Sequence, residues 1–402
     1  MLRVSPGKKR QEPHWTRWSG PSLLRNDNLI ILKFKRSFEK NRNELFGLGF
    51  GQYPAFVRTD VQPEQIPVFQ FHDVSRDTLE PALEFIARNH YVTLTGDEYY
   101  QRVIGEFPRQ DREVLLTFDD GQASLYSIAF PLLRKFNQRA VAYIVPGRVP
   151  DERGILPHHN TDLALCTWRQ IREMYESGVI DVQSHSLYHH SIAISSTIVD
   201  FTRPGISTSF LESDLAPIHP GNKNRFCPDL IKTWGLPIYQ WSARMGAHPA
   251  YIEHTQISEA CIRHVADHGG EAFFRSRGWR RQLKTVVRDA QEKFLPARFE
   301  TAGEQRHAIL TDLCESKAAI EARLPGSRAQ HFCFPWYRGS ALAVELSHTA
   351  GYLTNAWGSL LPQFVNKDTS QPLPIPRLQP KYIFRLPGLG RRPLWRLCGG
   401  AV

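Results

Sequence analysis

Val114-Leu115-Leu116-Thr117-Phe118-Asp119-Asp120-Gly121 is the stretch whose reading decides the fold. Its first five residues are apolar and partly β-branched, the pattern of a strand, and they meet a turn signal at Asp120-Gly121. Outward from it the pattern repeats. Before it, Val68-Phe69-Gln70-Phe71 reads as a strand ending at His72-Asp73, Leu79 to Ala87 has helical spacing, and Tyr91 to Leu94 reads as a second strand. After it, Leu125 to Phe136 is helical in spacing, and Ala140 to Val145 is another strand run. Trp168 to Ser177 is a helix closed by Gly178, and Ile180 to Val182 is the next strand. Later, Ile309 to Leu324 and Ala341 to Ala350 read as helices on either side of a strand at Phe332-Cys333-Phe334. Strands alternating with helices predict a parallel sheet covered by helices, and many such units in series favour a (β/α) barrel over an open sheet.

Between His190 and about Arg306 the rhythm breaks at Pro204, Gly205, Pro217, Pro220 and Gly221, and the stretch is too long for a loop without structure of its own. It is expected to be an inserted subdomain, about residues 191–306, over or beside the site. Its Arg275, Arg277, Arg280 and Arg281 read as a solvated helix face before a contact for an anionic substrate.

The chain has 402 residues, 41% hydrophobic and 22% charged, which is ordinary globular composition. Its net charge of +10 is uneven: residues 1–40 carry +7 and the stretch from Ile375 to the end +6, which leaves the body slightly acidic. Nucleic-acid binding, which wants a basic face on the folded domain, is therefore not expected. No stretch approaches the ~20 apolar residues of a membrane span. No apolar run of signal-peptide length follows Arg10, so a cytoplasmic location is expected. Six scattered cysteines, without close pairs, fit reduced thiols.

Two elements carry chemistry. Asp119 and Asp120 sit side by side where a strand ends, so their side chains point different ways and one can face a metal while the other faces a substrate. Alone, Asp-Asp-Gly is more often a plain turn. His185-Ser186-Leu187-Tyr188-His189 follows another strand, and histidines at i and i+4 on a helical turn share one face and can hold one metal. Both elements fall on the same predicted rim. One carboxylate and two imidazoles then make a three-ligand set, and the spare carboxylate becomes a base for activated water.

Thr117-Phe118-Asp119-Asp120-Gly121 and His185-Ser186-Leu187-Tyr188-His189 resemble the first two motifs of the polysaccharide deacetylase family (carbohydrate esterase family 4, the NodB homology domain). Pro67 to Asp73 is similar to its opening strand, and Phe332-Cys333-Phe334-Pro335-Trp336-Tyr337 to its third motif. The resemblance covers roughly residues 64–190 and 307–386. It implies a deformed (β/α) barrel, here with a large insertion, as residues 61–386. A basic, partly irregular extension would precede it at 1–60, and a basic tail would follow at 387–402. It also implies a metal-dependent hydrolase that removes an acyl group, N-acetyl above all, from an amino sugar or glycan. Asp119 would be the base. Asp120, His185 and His189 would hold a divalent metal, commonly zinc, and the Trp336 N–H would face the oxyanion.

His72, Pro335, Tyr337 and Arg377 stand as substrate-binding candidates. His72 is also a candidate proton donor, although a buried histidine bonded to backbone is the more ordinary reading, and Arg377 is a candidate to orient Asp119. The chain departs from the family in having Cys333 where many members have Arg, and in lacking a late histidine, since the last is His348. A small-molecule amidase or deformylase on the same fold and a non-catalytic carbohydrate-binding protein are the rival readings. Asp119, Asp120, His185 and His189, all present, speak against the second.

Overall fold

The computed structural model describes residues 53–150, 165–205, 233–293, 297–367 and 370–398. Parallel strands form one sheet: β1 (Val68–Phe71), β2 (Val92–Thr93), β3 (Glu113–Asp120), β4 (Ala140–Ile144), β5 (Ile180–Ser184), β6 (His331–Cys333), β7 (Thr354–Ala356) and β8 (Leu373–Ile375). The order is β1-β3-β4-β5-β6-β7-β8, with β2 paired to the start of β3. Just past β8, Leu378 donates its N–H to Val68 O at 2.7 Å and accepts from Gln70 N at 2.9 Å, which brings the sheet back onto β1. The expected (β/α) barrel is therefore present and nearly closed. Helices α1 (Arg76–Arg88), α2 (Gly96–Val103), α3 (Phe130–Lys135), α4 (Trp168–Glu176), α5 (Ala302–Arg323) and α6 (Ala341–Thr349) connect the strands.

The strand period sorts the side chains. Leu115, Val141, Tyr143, Cys333, Ala356 and Ile375 pack together in the lumen. Leu116, Phe118, Ala142 and Ile144 alternate with them and face the helices, where they meet Leu83, Ile86, Leu133 and Ile171. The helix expected over Leu125–Phe136 is broken in character: Leu125–Ala129 is a wide π turn, and only Phe130–Lys135 is α-helical. Pro131 has no N–H to donate, which loosens the turn before it.

The described residues between 191 and 299 leave the barrel. An antiparallel pair, Ser191–Phe201 with Pro237–Ala243, precedes helices Thr255–Asp267 and Trp279–Gln291. These bury a separate core of Phe201, Ile257, Cys261, Val265, Phe273, Leu283 and Val287. Of the four arginines noted in this segment, Arg280 is paired with Asp200 at 3.0 Å and lies over the Trp279 ring.

The ends are tied more closely than an extension and a tail. Tyr53, Phe56 and Val57 belong to the main core, so the packed body begins before residue 61. Buried Arg385 donates to Val57 O and to Arg392 O, and Arg391 reaches Phe56 O, so both chain ends of the described body meet on one face. The first 52 residues lie outside the described ones. Cys166, Cys261, Cys314 and Cys333 are free thiols, while Cys227 and the Cys398 side chain lie outside the description. Among the described residues no helix is long and apolar enough to cross a membrane.

One glycine fixes how two rim loops meet. Gly147, after β4, donates to Leu187 O at 2.8 Å, and a Cβ there would stand 2.5 Å from the Tyr188 ring and 2.6 Å from Leu187 O. Gly147→Ala is expected to lower stability by about 1–3 kcal/mol, the usual cost of overpacking, read as a fall in the urea midpoint. An unchanged midpoint would show that the loops can separate freely.

Candidate metal centre

Asp119 and Asp120 close β3, but not as an alternating pair. Asp119 points into the lumen in line with Leu115 and Thr117. Asp120 would follow Leu116 and Phe118 outward, but it adopts a left-handed backbone, φ 69°, just before Gly121 at φ 72°. That turn aims its carboxylate along the rim. Asp120 Oδ1 lies 3.5 Å from His185 Nε2 and 3.6 Å from His189 Nε2.

The histidines are not on a helical turn, as their spacing suggests. They flank an irregular loop in which Ser186 (φ 67°) and His189 (φ 51°) are left-handed, and their rings are 4.8 Å apart. Several bonds fix this loop. His185 N donates to Ile144 O, His189 N to Ser186 Oγ, and Leu187 N to the carboxylate of Asp312 on α5. His185 Nδ1 lies 2.8 Å from Cys333 O. A backbone carbonyl can only accept, so Nδ1 carries the proton and the Nε2 lone pair faces Asp120. Burial pushes His185 below its ordinary value and His189 down to about 3, so both imidazoles are neutral and free to ligate.

Asp120, His185 and His189 thus form one convergent donor set. Two ligands of a tetrahedral zinc at the usual bond lengths lie about 3.3–3.6 Å apart, which matches the observed spacing. Asp119, His185 and Cys333 form a second geometric group, but a poorer one. Burial raises the Cys333 thiol well above its ordinary value, so it stays protonated, and both oxygens of Asp119 are already engaged.

That engagement comes from Arg377, which is fully buried. Its Nη1 and Nη2 meet Asp119 Oδ1 and Oδ2 at 2.6 and 2.8 Å, and its other bonds go to Thr117 Oγ1, Trp357 O and Cys333 Sγ. Burial alone would raise the Asp119 carboxyl. Arg377 chiefly, with His185 and His72, outweighs it and holds the group well below the usual carboxylate range. Arg377 thus holds both oxygens of Asp119 and is not part of the cleft wall. Pro335 is also buried and off the cleft wall.

The cleft above these residues has a volume of about 230 Å³. His72, Asp119, Asp120, His185, His189, Trp336 and Tyr337 line it. His72 is not a buried histidine. Its side chain is 46% exposed, with Nε2 3.6 Å from Asp119 Oδ2. Trp336 and Tyr337 have positive φ, 50° and 57°, and the Trp336 ring is 4.2 Å from that of His189. Sequence reasoning missed Gln122, Arg148 and Leu165, which complete the wall. Gln122 directly follows Asp-Asp-Gly, and Arg148 follows the end of β4, so the rule that chemistry gathers at C-terminal strand ends would have flagged both. None of residues 191–299 that are described lines the cleft, so the described part of the insertion does not cover it.

The family model for polysaccharide deacetylases matches residues 107–209, which hold both motifs. This part of the chain is similar to the polysaccharide deacetylase family. The chain is 28% identical over 123 residues to the poly-beta-1,6-N-acetyl-D-glucosamine N-deacetylase of Staphylococcus aureus (strain MRSA252), covering 30% of this chain and 40% of that protein. The chain thus spans less than half the length of the curated relatives it matches. Among solved structures, a de-N-acetylase from Aggregatibacter actinomycetemcomitans overlaps at a TM-score of 0.49 and 16% identity, covering 78% of this chain and 94% of that one. The deacetylase domain of BpsB from Bordetella bronchiseptica overlaps at 0.49 and 18%, covering 80% and 98%.

Next to the centre, burial holds His190 at about 3, with Arg244 adding to the effect. The unfolded chain protonates this residue as pH falls through about 6.5, and the folded chain does not until about 3. The associated stability is present above 6.5 and lost as pH falls. With a chelator present, the wild-type chain is therefore expected to lose stability relative to His190→Gln, by up to about 1.4 kcal/mol per pH unit below 6.5. Urea midpoints at three pH values between 7.5 and 5 measure this, and a constant difference would refute it.

Proposed function

We propose that this chain is a divalent-metal-dependent hydrolase that removes an acyl group, N-acetyl in the first instance, from an amino sugar or polysaccharide. The observation that carries the reading is the convergence of Asp120, His185 and His189 beside a separately held Asp119 in one cleft. The names of the relatives, N-deacetylases of an amino-sugar polymer among them, support the substrate class. Asp120, His185 and His189 would hold the ion, zinc by the chemistry of a two-imidazole, one-carboxylate set. When bound, it would polarise the acyl carbonyl and lower the pKa of a water molecule.

The chain's own residues supply the rest. Asp119 stays ionised at neutral pH and so can accept the water's proton. Its bond to Arg377 makes it a weak base but fixes both oxygens in place. His72, half-exposed and 3.6 Å from Asp119, would carry a proton to the leaving amine, the task for which the sequence offers no late histidine. The Trp336 N–H would meet the developing oxyanion, and Tyr337 would form the wall beside it.

Acetate release from N-acetylglucosamine and its oligomers, with metal analysis of the same samples, tests the proposal. His189→Ala and Asp120→Asn are expected to lose both metal and activity. Asp119→Asn should keep metal while activity falls about 10²–10⁴-fold, the usual share of general acid–base catalysis. A wild-type chain that retained no divalent metal, or an Asp119→Asn variant of full activity, would sink it.

A further inference from the structure

Asp312 lies on α5, 3% exposed, and has no part in the chemistry above. Its Oδ1 accepts the Leu187 N–H at 3.0 Å, and its Oδ2 is 3.6 Å from His190 Nδ1. Leu187 is the midpoint of His185–His189, two residues from each ring. This loop has no helical or strand ladder to define it, and two of its residues hold left-handed conformations. Its backbone is fixed at separate points. β4 holds its start through Ile144 O, and Gly147 holds the Leu187 carbonyl. Ser186 Oγ, within the loop, takes the His189 N–H. Asp312 alone among these anchors reaches from the helix behind the loop, and it binds the N–H of the same residue whose carbonyl Gly147 holds. The Leu187 peptide groups are thus gripped on both sides, and the two rings hang from that point. Nearby, Ser184 Oγ and Ser316 Oγ meet at 2.6 Å, which keeps α5 in register with β5 just before the loop.

We infer that Asp312 is a positioning residue whose carboxyl oxygen, by holding the Leu187 N–H, sets the separation and aim of the His185 and His189 rings. The inference rests on the reading of those histidines, with Asp120, as metal ligands. If Asp312 is shortened to alanine, the buried Leu187 N–H has no acceptor and must turn towards another, which rotates the peptide between the two rings. Asparagine keeps an oxygen at the same place, and its amide nitrogen faces His190 Nδ1, which otherwise has no hydrogen-bond partner.

The experiment measures zinc affinity of the full chain by competition with a chromophoric chelator for the wild type, His189→Ala, Asp312→Ala and Asp312→Asn. Hydrogen exchange at the Leu187 amide is followed in parallel. Groups that orient ligands typically change metal affinity 10–100-fold, so Asp312→Ala is expected to bind in that range more weakly, and Asp312→Asn within about threefold of wild type. Leu187 exchange should quicken in the alanine variant and not in the asparagine one. Because asparagine preserves the size and buried polarity of the site, a general loss of folding in the alanine variant does not hide the answer. Wild-type affinity in Asp312→Ala, or equal weakness in both variants, overturns the positioning role. Equal affinity of wild type and His189→Ala instead overturns the ligand reading, and is seen without either Asp312 variant.

Discussion

Inside the barrel, where water does not reach, the Arg377 guanidinium donates to both oxygens of the Asp119 carboxylate. Taking two such charges out of water costs several kcal/mol for each, so the pair is not argued as a net source of stability. Its effect is on geometry. Arg377 bonds Thr117 and Asp119 on β3, the sulfur of Cys333 on β6 and the carbonyl of Trp357 just past β7. The next residue, Leu378, closes the sheet onto β1. Ring closure and the placing of the lumen carboxylate are therefore consequences of two consecutive residues. A slip of β8 by one position would turn Arg377 out of the lumen and leave Asp119 buried without a counter-charge, an error worth about 3–5 kcal/mol.

The rim above is held differently. Asp120, Ser186, His189, Trp336 and Tyr337 all have left-handed backbones, which side chains other than glycine seldom adopt. Such conformations cost of order 1–3 kcal/mol each and persist where the surroundings over-determine them. Here the surroundings are identifiable: Ile144 O and Gly147 from β4 and its loop, Asp312 from α5, and Cys333 O from β6. The rigid staves carry the cost of a rim whose side chains must converge.

What could be read from the sequence follows the same division. The barrel was legible because buried strands and helices impose periods of 2 and about 3.6 residues, and those periods survive without knowledge of partners. Asp119, Asp120, His185 and His189 could be picked out as candidates, because each stands at or just past the end of such a strand. The conformation of the histidine loop was not: five residues with no periodicity carry no signal for left-handed turns, and a helical turn was the natural but mistaken reading. Arg377 was noticed as a partner for Asp119, yet its burial was not, since the contact spans 258 residues. Pro335 and His72 exchanged places for a similar reason. Whether a residue at a strand end lies under the rim or on it depends on neighbouring loops, and the sequence does not order those in space. Asp312 left no trace, because one acid among several on a helix looks like any solvated face.

The two adjacent carboxylates differ in what already holds them. Asp119 has both oxygens committed to Arg377, and their charges cancel, so it cannot swing across to join the histidines without abandoning a buried guanidinium. Asp120 has no such partner. Its neighbours are two imidazoles that burial keeps neutral, so its negative charge at the cleft floor is left for a cation to complement. Had β3 kept its extended alternation one residue further, Asp120 would have pointed among the helices with Phe118. The single left-handed residue before Gly121 turns two identical neighbours into one carboxylate paired with Arg377 and one that faces His185 and His189.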